Sequence, residues 1–101
     1  MSEGRQRLDK WLWFARFAKT RTLAAKLVEA GHVRVNGVRS QVPAKAVGPG
    51  DVLTIAVAHR TAVVRILDPG LRRGPFEEAR RLYETLDGGD NAALVTAAPD
   101  D

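Results

Sequence analysis

The spacing of apolar residues changes along this chain, and each spacing predicts a different element. Leu8, Trp11, Leu12, Ala15 and Ala18 recur at three- and four-residue steps, which predicts a helix over 8–18. Asp9 falls in its first turn, as a dipole partner or an ion-pair partner of a nearby arginine. Thr20 then reads as the N-cap of a second helix over 21–30, with Leu23, Ala24, Leu27 and Val28 on its apolar side. Gly31 marks its end, because glycine tolerates the left-handed conformation there. Beyond it the period drops to two: Val33 and Val35 alternate with His32 and Arg34, and Val38 continues past Asn36-Gly37. Asn-Gly between alternating residues predicts a hairpin with a type I′ turn, valines toward the core and Arg34 toward water.

"PAKAVGPGD" predicts a loop that turns at Gly48-Pro49-Gly50. Strands follow over 52–57 and 61–67, joined by "AHR". After the loop "DPGLRRG", Pro75 opens a last helix with Phe76, Ala79, Leu82, Tyr83 and Leu86 on its apolar side and Glu77 four residues before Arg81, the order that favours an ion pair. From Gly88 the sequence loses periodicity and ends acidic, which predicts a mobile tail over 88–101 after one domain over 1–87. The order α-α-β-β-β-β-α predicts an α+β fold. Two N-terminal helices pack on a small, mainly antiparallel sheet, and a C-terminal helix follows.

Charge changes this picture from fold to partner. The net charge is +4, but it is unevenly spread. Residues 1–45 hold ten basic groups against three acids, and the rest hold six against nine. A basic half points to a polyanion. Lys19, Thr20 and Arg21 gather at the second helix start, Lys26 lies further along it, and Arg34 and Arg39 flank the hairpin turn. With Arg7, Lys10 and Arg16 from the first helix, these groups are expected to converge on one concave edge that grips phosphates. Asn36 is first a turn former. Trp11 is expected in the core, and Trp13 and Phe17 under the last helix or stacked on a base.

Catalysis needs a constellation, and none is visible. There is no cysteine, so thiolate chemistry is excluded. His32 and His59 lack metal-site spacing, and no glycine-rich phosphate loop precedes a Lys-Thr pair. Glu77 and Glu78 are neighbours, which point about 100° apart on a helix. The expectation is a binder without cofactor or metal. No apolar run approaches the ~20 residues of a membrane span, and "MSEGRQRLDK" has no apolar signal core, so the cytoplasm is the expected location; a monomer is expected.

"RLDKWLWFARFAKTRTLAAKLVEAGHVRVNG", Arg7–Gly37, resembles the S4 RNA-binding domain, the αL motif, and "PAKAVGPGDVLTI" resembles its closing segment. The framing of "RLDKWLW", "AR" and "KTR" is similar to the bacterial heat shock protein 15 family of small, stand-alone S4 proteins. The resemblance implies ribosomal RNA and the large ribosomal subunit as partners, with tRNA carrying a stranded nascent chain as a further one. It implies RNA contacts from Arg7, Lys10, Lys19, Thr20, Arg21, Lys26, Arg34, Asn36 and Arg39. That branch carries a longer basic C-terminal extension; Arg72, Arg73, Arg80 and Arg81 are diluted by Glu77, Glu78 and Glu84 and are not counted among the expected RNA contacts. Two other readings stay open: a targeting module acting in trans for an RNA-modifying enzyme, and a basic surface for an acidic protein.

Overall fold

A computed structural model describes residues 4–57 and 60–86, so the expectations for His59 and for the tail over 88–101 lie outside the described residues. The elements run β1 (Gln6–Arg7), α1 (Leu8–Phe14), α2 (Arg21–Glu29), β2 (Val33–Val35), β3 (Val38–Ser40), β4 (Ala46–Val47), β5 (Val52–Val57), β6 (Arg60–Ile66), α3 (Phe76–Ala79), a 3₁₀ turn (Arg80–Leu82) and β7 (Tyr83–Thr85). Five strands form an antiparallel sheet in the order β3-β2-β5-β6-β7, and β1 pairs with β4 beside it. This is the expected α+β fold.

The register sorts the side chains. Val33 and Val35 lie opposite Ile55 and Leu53, and Leu53 lies opposite Val64. These residues are buried against Leu8, Trp11 and Leu12 of α1 and Ala24 and Val28 of α2. Full burial of each such Leu, Ile or Val side chain contributes about 1.5–3 kcal/mol. Trp11 sits in the core as expected, and its indole N–H donates to the Asp68 carbonyl at 2.9 Å. Phe17 stacks on Trp11 and tilts against Tyr83, and Trp13 packs partly buried against the core.

Both early helices end in a Schellman motif, and this shortens the first one. In α2, Gly31 N–H donates to Val28 O and His32 N–H to Leu27 O, with Gly31 at φ +85°. In α1, Arg16 N–H donates to Trp13 O and Phe17 N–H to Leu12 O, with Arg16 itself at φ +65°. The expected helix over 8–18 therefore stops at Phe14. A left-handed non-glycine residue costs about 1–2 kcal/mol, which the Arg16 Nη1 hydrogen bond to Gly74 O at 2.8 Å offsets. Arg73 ties the same break from the other side, donating to Trp13 O at 3.1 Å.

Three further expectations are corrected. The last helix covers only Phe76–Ala79, and Tyr83–Thr85 leaves the helical path to pair with β6. The edge of β6 needs backbone partners, and Tyr83 opposite Ile66 supplies them. Glu77 consequently makes no ion pair with Arg81 among the described residues; Arg72 pairs with Glu78 instead, at 2.7 Å. Val38 is 70% exposed rather than buried. It shares the face of Val35, its cross-strand partner, but β3 is the outermost strand and the helices do not reach over it.

Candidate nucleic-acid interface

The start of α1 builds the first part of the site. Its leading N–H groups are taken by backbone, Leu8 donating to Lys45 O at 2.9 Å and Asp9 to Pro43 O at 3.0 Å. The Asp9 side chain is thereby fixed, only 3% exposed, and it organises two arginines. Arg7 grips it with two hydrogen bonds, Nε to Oδ1 at 3.0 Å and Nη2 to Oδ2 at 3.1 Å. Arg21 reaches the same carboxylate from α2, Nε to Oδ2 at 3.9 Å. The hydrogen bonds and charge of Asp9 raise the pKa of the Arg7 guanidinium further. Thr20 caps α2, its hydroxyl accepting from Leu23 N–H at 3.0 Å, and so sets where Arg21 leaves the helix. A shallow hollow of about 410 Å³ results, with Arg7, Arg21 and Lys26 on its walls and Asp9 at its base.

The hairpin builds the second part. Asn36 and Gly37 have φ +53° and +86°, the pair of left-handed residues that a type I′ turn requires. Arg34 and Arg39 are directly opposite on the outer face, with Thr54 on the other side of Arg34. Like charges in this relation destabilise a hairpin, so their placement is not explained by folding. The Arg39 stem runs along Gly31 at the end of α2: a Cβ there would lie 3.2 Å from Arg39 Cδ. Asn36 is committed to structure, its amide donating to Asp51 at 3.2 Å and its carbonyl accepting Val52 N–H at 2.9 Å.

A groove of about 740 Å³ lies between the β3 edge and the β1–β4 ladder, with Arg5, Arg39 and Lys45 among its lining. Gln41 Nε2 donates to Glu29 O at 3.1 Å where this groove meets the α2 hollow. Sequence reasoning left Arg5 and Lys45 out of the site. Forty residues separate them in the chain, and only the β1–β4 pairing brings their neighbourhoods together.

The remaining sequence candidates divide. Lys19 is exposed in the link before α2. Lys10 lies over the Phe14 ring at 5.8 Å, outside both hollows, and Arg16 faces Gly74. Among the described residues no group of His, Asp and Glu is arranged to hold a metal, and no helix is long and apolar enough to cross a membrane.

Comparison with known proteins gives this surface a context. Residues 6–53, which hold α1, α2, the hairpin and the lining of both hollows except Arg5, match the S4 domain. Heat shock protein 15 of Escherichia coli is 46% identical over 80 residues, 77% of this chain and 58% of that protein. The solved structure of Vibrio cholerae heat shock protein 15, described as trimeric, superposes with a TM-score of 0.81 at 37% identity, covering 93% of this chain and 94% of that one. The chain belongs to the heat shock protein 15 family. It spans well under two thirds of the length of the curated family members it matches first. Outside the family, the small ribosomal subunit protein uS4 of Phenylobacterium zucineum is 34% identical over 93% of this chain and 44% of its own length.

Proposed function

We propose that this protein binds structured ribosomal RNA through Arg7, Arg21 and Lys26 and through the Arg34–Arg39 hairpin face. Within that reading it acts in the cytoplasm on the large ribosomal subunit, in rescue or quality control of subunits left with a nascent chain on tRNA. The observation that carries the reading is the pair of arginines held by one buried carboxylate, together with a second pair held opposite each other on a hairpin. Guanidiniums fixed at set distances fit the phosphates of a folded backbone and recognise its shape. Membership of the heat shock protein 15 family and the similarity to a ribosomal protein support the ribosomal partner. All these cations come from one chain, so a monomer suffices for the contact. No catalytic step is assigned to it.

The test is co-sedimentation with ribosomal fractions on a gradient at low and high salt, beside the triple variant Arg21→Ala, Arg34→Ala, Arg39→Ala. Wild type is expected with large subunits and the folded variant at the top. If both stay at the top at low salt, the ribosomal reading fails.

A further inference from the structure

The groove beside β3 has a lining that gripping a duplex backbone does not use. Arg5 and Lys45 are exposed along it, and beside them Val38 and Val42 are 70% and 59% exposed. Phosphates gain nothing from bare valines, whereas the flat face of an unpaired base removes such carbons from water. Asp51, the acid in this lining, is already engaged: it accepts from Gly48 N–H at 2.9 Å and from Asn36, and it faces Arg5 at 3.7 Å. Arg5, Arg39 and Lys45 outnumber Asp51 in the lining, so the net charge of the groove is positive, which suits the phosphates on either side of such a base.

The backbone adds a recognition element. β3 is the outermost strand of its sheet. Across a two-residue turn Val35 and Val38 exchange hydrogen bonds, and the next pair, Arg34 and Arg39, does not. Arg39 N–H and C=O therefore point away from β2 toward the groove. One donor and one acceptor match the edge of a single base. They are too few for an added peptide strand, which pairs along several residues.

We infer that this groove takes one unpaired nucleotide of the RNA, its base on Val38 and Val42 and its flanking phosphates on Arg5 and Lys45. The inference rests on the RNA-binding reading above and adds a preference for a bulge or junction.

The experiment is fluorescence anisotropy of the full chain with two RNA hairpins, one perfectly paired and one carrying a single bulged nucleotide. Wild type is expected to bind the bulged RNA about tenfold more tightly, the scale of taking part of two valine side chains out of water. The double variant Val38→Ser, Val42→Ser is expected to lose most of that preference and keep its affinity for the paired RNA. Both positions are exposed, and a circular dichroism melt checks that the variant is folded. Arg5→Gln with Lys45→Gln is expected to lower the salt slope on the bulged RNA by about 1.5. If wild type binds both RNAs equally, or the serine variant keeps the preference, the inference is overturned and duplex binding stands. If wild type binds neither RNA, the RNA-binding reading fails and takes the inference with it. An acidic peptide that binds wild type and not the serine variant, with no bulge preference in either, assigns the groove to a protein partner and overturns it as well.

Discussion

Replacing Arg34 by threonine separates what the hairpin does for the fold from what it does for binding. Arg34 lies between Arg39 and Thr54 on the outer face of the sheet, so threonine there has a compatible neighbour on each side and a good strand propensity. Two guanidiniums splayed to about 8 Å in water repel by about 0.5 kcal/mol. Removing one should therefore stabilise the protein by about that amount, which raises Tm by about 2–4 °C for a domain of this size. On the proposed RNA-binding reading the same change removes one phosphate contact, so the slope of log K against log salt for RNA should shrink by about 0.7–0.9. Stability and binding should move in opposite directions. The assay is a thermal melt at about 50 mM and about 500 mM salt, where the Debye length falls well below its ~10 Å value at 0.1 M, beside RNA titrations at the same concentrations. Wild type should gain more stability from salt than Arg34→Thr does. A variant that melts lower than wild type at low salt, or whose RNA salt slope is unchanged, would refute the reasoning, because the arginine pair would then serve the fold.

Asp9→Asn should cost about 1.5–3 kcal/mol, the range for hydrogen bonds to charged groups, and should weaken RNA binding several-fold although it removes an anion from the site; equal or tighter binding in a titration would show that Asp9 does not position Arg7 and Arg21. Thr20→Ala should cost about 1 kcal/mol by loss of the helix cap, read as a lower urea midpoint with an unchanged m-value. Burial pushes the Tyr83 phenol above its ordinary range, so its contribution to stability is fully present below about pH 10 and is lost as the pH rises through the folded-state value. An ultraviolet titration should show phenolate appearing later in the folded protein than in urea.

Where the evidence for an element was local, the sequence was readable. Thr20 and Gly31 bound α2 because a cap and a left-handed stop are properties of single residues, and Asn36-Gly37 fixes the hairpin for the same reason. The end of α1 was not readable, because Arg16 takes the left-handed position usually given to glycine and is held there by Gly74, 58 residues away. The last helix is shorter than its spacing predicts for a related reason. Phe76, Ala79, Leu82 and Tyr83 do keep a helical spacing, but the need of β6 for a neighbour draws Tyr83–Thr85 into the sheet. In the candidate site, the charge pattern led to Arg7, Arg21, Lys26, Arg34 and Arg39. It did not show that Asp9 unites the first two, that Arg16 serves the fold, or that Arg5 and Lys45 border a shared groove.

The fastening of the hairpin tip bears on how fast the protein meets its partner. Asn36 is pinned to β5 through its side chain and through its own N–H, which donates to Val52 O at 2.7 Å, and Asp51 links it to the turn at Gly48. The arginine pair therefore stands on a tip that is ordered before any encounter. No loop search follows first contact, so the association rate is set by diffusion and long-range attraction. On the proposed reading the contact then forms quickly, and ionic strength acts on its on-rate.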